Sequence, residues 1–203
     1  MTRDTAGALS ASSSFSLSAS FREASREQGN NQLRAVAAYM KSHSLVLTTA
    51  ESCTAGLIAA HLADVPGAGS LLECAYVVYS PQAKQRCVGV SAETMARCNL
   101  TSEEVATEMA RGALNKSPAN VAIANTGVTD DTDPDIPAGT QCFAWLFAGR
   151  EGKGDKLFTE TRQFKGDRNT IREQAAVYAL TQVPGKHEAF LQETTASRKN
   201  QSV

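Results

Sequence analysis

A serine at a sharp turn is the first group in this chain whose surroundings could support catalysis. The short apolar run Leu45 to Thr49 leads directly into Glu51-Ser52-Cys53-Thr54-Ala55-Gly56, and residues 57–62 then have helical character. This order predicts a strand, a tight turn and a helix, with the Ser52 hydroxyl in a cleft. The free N–H groups of the three following residues would face a developing oxyanion, which suits acyl transfer.

A serine nucleophile needs a base, and a lysine on the next predicted unit is the best candidate. None of the three histidines lies at a predicted strand end, so a Ser-His-Asp triad is hard to assemble. Lys84 lies one turn into the helix after the next strand, and a partly desolvated lysine can lose its proton near neutral pH. Tyr79 could relay or orient that proton. The alternative for these residues is a capping Ser52 and a solvated Lys84.

Two other features could carry chemistry of a different kind. Cys53 is a rival nucleophile because a helix N-terminus lowers a thiol pKa, although a small buried cysteine is the plainer interpretation. The loop Asp130 to Asp135 alternates aspartates as calcium loops do, but it lacks their turn glycine and terminal glutamate. We therefore interpret it as a solvated turn and predict no metal site.

Composition and missing motifs exclude several functional classes. The 203 residues carry 20 Lys and Arg against 21 Asp and Glu, so no basic excess predicts binding to nucleic acid or to an anionic membrane. Neither a G-x-G-x-x-G sequence nor a Walker loop occurs, which argues against dinucleotide-fold oxidoreductases and P-loop ATPases. The longest apolar runs are too short to span a bilayer, and no leader precedes a cleavage site. The five scattered cysteines are interpreted as reduced thiols of a cytoplasmic protein.

Hydrophobic periodicity predicts an α/β fold that would position these residues. Helical segments and β-type runs alternate up to Asn120–Asn125, after which Thr140–Ala148 and Leu157–Phe164 read as a hairpin. Thr101 with Glu104 forms a capping box for one helix, and Asp167 caps the last. This order predicts a mixed sheet, parallel early and antiparallel late, with helices on both faces. Ligands then bind at the carboxyl ends of the parallel strands.

The two ends of the chain differ from its centre in composition. Residues 1–30 are rich in serine with isolated apolar residues, which predicts a disordered tail. Residues 185–203 turn polar again after Pro184, which predicts a second frayed tail. The predicted domain covers residues 31–184.

Several separated motifs, in one order, resemble the CinA carboxyl-terminal domain family in its short, stand-alone form. They are Thr49-Ala50-Glu51-Ser52-Cys53-Thr54-Ala55-Gly56, Val65-Pro66-Gly67, Val78-Tyr79-Ser80-Pro81-Gln82-Ala83-Lys84, Val88-Gly89-Val90, Thr126-Gly127, Pro137-Ala138-Gly139-Thr140 and Gly166-Asp167-Arg168. The resemblance spans roughly residues 32–183. It implies a three-layer α/β sandwich, often a homo-oligomer, and a nicotinamide-nucleotide amidohydrolase that needs no metal or cofactor. The implied substrate is a small nucleotide amide.

The resemblance also implies roles for individual residues. Ser52 resembles the family nucleophile, Lys84 its general base and Tyr79 its assisting hydroxyl. Cys53, Thr54, Ala55 and Gly56, with Thr126 and Gly127, would line the substrate pocket. Arg168 is a candidate for binding the nucleotide phosphate, and it could equally form a structural ion pair.

Three departures from the family pattern put the substrate in question. Ala55 replaces a glycine where the backbone can need a positive φ, and Pro81 stands where asparagine is common. The usual glycine-rich segment after Gly127 is replaced by a run that includes four aspartates, and aspartates repel a phosphate. The alternative function is therefore a silent or retuned paralogue that binds a ligand or a protein.

Overall fold

The structure, a computed structural model, describes the backbone of residues 11–131, 133–149 and 154–200, and side chains from residue 27 to residue 193 within those ranges. Its five strands form one sheet in the order β2-β1-β3-β4-β5. The strands are β1 (Leu47–Glu51), β2 (Leu72–Val77), β3 (Val121–Gly127), β4 (Thr140–Phe147) and β5 (Lys156–Gln163). The helices are α1 (Ala11–Ser42), α2 (Leu57–Ala63), α3 (Pro81–Val88), α4 (Ala92–Cys98), α5 (Glu103–Asn115), α6 (Arg168–Thr181) and α7 (Val183–Asn200), with a 3₁₀ turn at Ala68–Ser70.

The sheet is mixed, as the sequence predicts. Strand β1 pairs in parallel with both β2 and β3, whereas β4 and β5 are antiparallel to their neighbours. All five residues of β1 are buried because the strand is central and covered on both faces. The carboxyl ends of β1, β2 and β3 therefore meet at one edge of the sheet, where the predicted nucleophile, base and pocket residues emerge.

Helices cover both faces of the sheet and give two hydrophobic cores, which confirms the three-layer sandwich. One core lies under α1, α2, α6 and α7 and contains Met40, Phe143 and Trp145. The other lies under α3 and α5 and contains Val88 and Met109. Among the described residues, no helix combines the length and apolar character that a membrane crossing needs.

Close packing of α3 on α5 places the helix that carries the predicted base. A Cβ on Gly112 of α5 would lie 1.7 Å from the carbonyl oxygen of Val88, which no side chain could tolerate. Glycine at this position therefore lets the end of α3 approach α5. Ser80 caps the start of α3 by accepting from the N–H of Ala83, and Pro81 occupies its first turn.

At both ends of the chain, the structure has a helix where the sequence predicts a tail. Helix α1 begins at Ala11, so the described part of the predicted disordered tail is helical. Residues 11–30 contain no proline and extend a helix already anchored at Leu33, so they need no new nucleation. The predicted tail from residue 185 is helix α7, in which His187 is buried and Phe190 stacks on Phe147. Residues 1–10 and 201–203 lie outside the described residues.

Two helix starts also differ from the expectation. Helix α5 is capped by Ser102, whose hydroxyl accepts from the N–H of Val105, and not by Thr101. The third helical residue is then Val105, which cannot reach back to the cap, so a single serine cap replaces the predicted capping box. Helix α4 is missed by the periodicity because its seven residues are too few to show an apolar stripe.

Candidate active site

The predicted serine lies at the carboxyl end of the central strand. Ser52 follows β1 directly, and its N–H donates to the carbonyl oxygen of Asn125 in the neighbouring strand β3. The residue is 7% exposed. Its position is therefore fixed by the sheet on one side, while the turn behind it redirects the chain into α2.

Lys84 reaches the serine from helix α3. Its Nζ lies 2.9 Å from Ser52 Oγ, 3.0 Å from the carbonyl oxygen of Val78 and 3.3 Å from that of Tyr79. The lysine is only 2% exposed. The structure thus brings together the nucleophile and base that the sequence proposes, although they are 32 residues apart.

Burial lowers the pKa of Lys84 from 10.5 to about 8, because the ammonium form is deprived of water. A neutral amine has two N–H groups and one lone pair. The two carbonyl oxygens can accept both N–H groups, which leaves the lone pair directed at Ser52 Oγ. An ammonium group has three N–H groups, and the same three neighbours can accept them all. Proton transfer from Ser52 to Lys84 therefore requires no rearrangement of the site.

A buried carboxylate that sequence reasoning missed holds the turn after Ser52. Glu51 is fully buried, and its two oxygens accept five hydrogen bonds. These come from the hydroxyls of Thr49 and Thr54 and from the N–H groups of Gly56, Ile58 and Ala59. Since Gly56 has no side chain to cap α2, Glu51 supplies the cap from the preceding strand. The sequence does contain a signal for this role, because Glu51 directly precedes Ser52 and lies between Thr49 and Thr54.

The turn offers fewer free oxyanion donors than the sequence suggests. The N–H of Thr54 donates to Asn125 Oδ1 at 3.1 Å, and that of Ala55 donates to the carbonyl oxygen of Ser52 at 3.1 Å. Within the described part of the chain, the N–H of Cys53 has no such acceptor. Cys53 is therefore the remaining backbone donor for an oxyanion at Ser52, in place of the expected three.

Cys53 is poorly suited to the rival role of nucleophile. It is buried, and burial raises the pKa of its thiol, which disfavours the reactive thiolate. Its Sγ accepts a hydrogen bond from Gln141 Nε2 at 3.3 Å. Arg172 of α6 donates to the carbonyl oxygens of Cys53 and Thr54. The environment of Cys53 is therefore that of a structural thiol.

A pair of buried amides joins the serine turn to the rest of the sheet. Asn125 accepts from the turn and donates through Nδ2 to Gln141 Oε1, while Gln141 Nε2 also donates to the carbonyl oxygen of Val128. Gly127 allows this contact, because a Cβ there would lie 2.5 Å from the Gln141 amide. Neither amide carries a local motif, since the pairing of β3 with β4 is what brings them together.

Two of the predicted pocket residues have structural partners. The hydroxyl of Thr126 donates to the carbonyl oxygen of Leu100, in the connection between α4 and α5. The hydroxyl of Thr54 is taken by Glu51. Ala55 and Gly56 form the outer part of the turn, with φ of 49° and 97°. The positive φ that the sequence raised for Ala55 is therefore present.

Arg168 and Tyr79 meet at the half-exposed rim of the site. Arg168 Nη2 donates to the Tyr79 hydroxyl at 2.9 Å, while Nη1 contacts Thr129 Oγ1 at 2.8 Å and Asp130 Oδ2 at 3.0 Å. The Tyr79 side chain is thus directed to the arginine, and the contact of this residue with Lys84 is through its carbonyl oxygen. Of the two roles that the sequence predicts for Arg168, phosphate binding and a structural ion pair, the structure shows the ion pair, with Asp130 as its partner.

The acidic loop, Asp130 to Asp135, is held in place by two side-chain contacts. Asp130 pairs with Arg168, and Asp133 accepts from Asn99 Nδ2 at 2.9 Å. The described residues contain no group of three or more His, Cys, Asp or Glu side chains able to hold a metal ion.

Comparison with known proteins identifies one family across the folded region. The sequence model of the CinA C-terminal domain matches residues 30–186. A putative competence-damage inducible protein of Symbiobacterium thermophilum is 41% identical over 155 residues, which cover 74% of this chain and 36% of that protein. The nicotinamide-nucleotide amidohydrolase PncC of Escherichia coli K12 is 38% identical over 157 residues, covering 76% and 90% respectively. The chain thus spans about a third of the first relative and most of the second.

Solved structures agree in fold. The competence damage-inducible protein A from Klebsiella pneumoniae superposes with a TM-score of 0.73 at 33% identity, over 79% of this chain and 97% of that one. A competence/damage inducible protein from Agrobacterium tumefaciens gives 0.71 at 29% identity, over 78% and 95%.

Proposed function

The chain belongs to the CinA C-terminal domain family, and we propose that it hydrolyses nicotinamide mononucleotide to nicotinic acid mononucleotide and ammonia. The observation that carries the proposal is the buried Lys84 Nζ, 2.9 Å from Ser52 Oγ. The similarity to amidohydrolases named PncC supports the same substrate class. We propose a cytoplasmic location, in keeping with five cysteines that all remain free thiols.

In the proposed reaction, Lys84 accepts and passes on one proton in each of two half-reactions. Ser52 Oγ attacks the carboxamide carbon while its proton passes to Lys84 Nζ, and the N–H of Cys53 stabilises the oxyanion. Lys84 then gives the proton to the leaving nitrogen, which departs as ammonia and leaves an ester on Ser52. Water, deprotonated by Lys84, hydrolyses this ester, and the proton returns to Ser52. The reaction consumes one water for each amide.

For substrate binding, we propose that Arg168 receives the phosphate and that Tyr79 positions the guanidinium through its hydroxyl. A guanidinium is suited to a phosphate because its planar donors can bind two oxygens together. Thr54, Thr126 and Gly127 would then shape the pocket mainly by fixing the backbone around the serine turn.

Ammonia release from nicotinamide mononucleotide, measured with the wild type and with Ser52→Ala, tests this function. Loss of activity by about 10³-fold or more is expected, because the covalent route is removed. The fold should persist because Lys84 keeps two carbonyl acceptors. Cys53→Ala is the matched control and should retain most activity. Activity lost in Cys53→Ala but kept in Ser52→Ala would show that the nucleophile is wrongly assigned.

A second candidate function is a retuned module that binds a ligand or protein without turning it over. The observation in its favour is that Asp130 already occupies Arg168, the proposed phosphate contact. A well-folded wild type that releases no ammonia would favour it.

We also propose that the chain forms a homo-oligomer, since β2 is an edge strand that leaves Val77 and the adjoining Tyr79 exposed.

A further inference from the structure

The rim of the site contains an exposed ion pair between Arg168 and Asp130. Arg168 Nη1 lies 3.0 Å from Asp130 Oδ2, and the two side chains are 54% and 51% exposed. Both charges are therefore accessible to a ligand entering from solvent. An ion pair this exposed is screened by water and is weak enough for a phosphate to displace.

Arg168 and Asp130 lie close enough to the serine turn for their charges to act on it. Arg168 tends to lower the pKa of the Cys53 thiol and Asp130 tends to raise it, although burial is the larger influence. Cys53 adjoins Ser52, and Arg168 also contacts Tyr79, whose carbonyl oxygen accepts from Lys84. The pair is therefore connected to the surroundings of Ser52 both electrostatically and through Tyr79.

Asp130 is held at the arginine by the folded base of its loop. The neighbouring Thr129 is buried and accepts from the same guanidinium nitrogen, and the carbonyl oxygen of Val128 accepts from Gln141. Farther along, Asp133 is fixed to Asn99. The carboxylate of Asp130 thus stays near Arg168 at a high effective concentration.

We propose that Asp130 is a specificity-determining residue that lowers the affinity of the site for substrates ending in a phosphate, by occupying Arg168. This inference rests on the proposed function for the identity of the substrate. A phosphate dianion must displace Asp130 from Arg168 and then lie beside a like charge. An amide without the phosphate meets neither obstacle. Asp130 therefore narrows the preference for a mononucleotide over the corresponding riboside without abolishing it.

The test compares two ligands that differ only in the phosphate, nicotinamide mononucleotide and nicotinamide riboside. Their dissociation constants are measured by calorimetry at low salt, with Ser52→Ala as the reference so that nothing is consumed. Adding Asp130→Asn should tighten binding of the mononucleotide by about tenfold and of the riboside by less than about twofold. The matched control is Asp131→Asn, which removes the same charge one residue away and should change both by less than about twofold.

A third variant shows whether the effect passes through the arginine. In the presence of Arg168→Gln, Asp130→Asn should no longer produce the phosphate-dependent gain. An equal gain for both ligands, the same gain in Asp131→Asn, or a gain that survives Arg168→Gln would each overturn the inference. Failure to bind either ligand would overturn it too. The proposed function fails separately, through absence of ammonia release by the wild type.

Discussion

The serine turn and the rim of the site are built in opposite ways. Ser52, Lys84 and Glu51 are buried, and all three are hydrogen-bonded to neighbouring groups. At the rim, Tyr79 is 59% exposed and the Arg168–Asp130 pair is about half exposed. The first region excludes water from its charged groups, whereas the second keeps its charges in solvent.

Under the proposed function, this difference separates the chemical step from the choice of substrate. Burial shifts the pKa of Lys84 strongly, so small changes in the turn alter the chemical step. Charges at the rim are screened, so changes there alter affinity by modest factors. The proposed function therefore predicts that the chemical step depends on Ser52 and Lys84, whereas substrate affinity depends on the rim.

Replacing Lys84 by methionine should have the largest effect and tests the buried side of the comparison. Methionine is apolar and of similar length but cannot accept a proton, so kcat should fall by about 10³-fold with KM changed far less. In the wild type, kcat/KM should rise with pH and level off above about pH 8, as the amine becomes neutral. The exposed Lys41→Met serves as control. Unchanged kcat in Lys84→Met would remove the proposed base.

The same variant has a consequence for stability. Between about pH 8 and pH 10.5 the unfolded chain holds a proton on Lys84 that the folded protein has released, so stability rises with pH across this window. Below pH 8, where Lys84 is protonated in the folded protein as well, its burial lowers the free energy of unfolding by about 3 kcal/mol. Chemical denaturation at several pH values should show that Lys84→Met loses this rise and gains stability at pH 7. Parallel pH profiles of the two proteins would contradict the lowered pKa.

Glu51→Gln is expected to have the next largest effect, on stability. The new amide presents N–H groups to an environment made of donors, so several of the five hydrogen bonds are lost. The free energy of unfolding should fall by about 3 kcal/mol, measured by denaturant titration. The same substitution at exposed Glu73 of β2 should change it by less than about 0.5 kcal/mol. Equal effects at the two positions would mean that Glu51 does not hold the turn.

Most of the fold was predictable because its signals are local. The strands β1, β3, β4 and β5 follow runs of apolar and β-branched residues, and Asp167 caps α6 as predicted. The sequence did not predict the helices at the two ends, because composition says little about a segment that extends an existing helix or packs one face against the sheet. Phe190 contacts Phe147, 43 positions earlier in the chain, and no local pattern records that.

The site was predictable in part, because two of its residues follow strands that the sequence predicts. Ser52 and Lys84 follow two adjacent strands, so sheet topology alone brings them near each other. The residues that hold the turn, Asn125 and Gln141, come from the antiparallel pairing of β3 and β4 and have no motif of their own. Likewise, the spacing of Asp130 and Arg168 gives no hint that they pair.

Ala55 offers the smallest test, because its left-handed backbone strains the turn after Ser52. Its φ of 49° is left-handed, which costs an L-residue about 1–2 kcal/mol, whereas glycine would cost about 0.5–1 kcal/mol in additional chain entropy. Because the backbone strain of alanine is larger than the entropy cost of glycine, Ala55→Gly should raise the free energy of unfolding by about 0.5–1 kcal/mol in denaturant titration. Exposed Ala60 within α2 is the control, where the same change should destabilise by about 1 kcal/mol. Destabilisation at both positions would mean that the methyl of Ala55 makes contacts worth more than the strain it imposes.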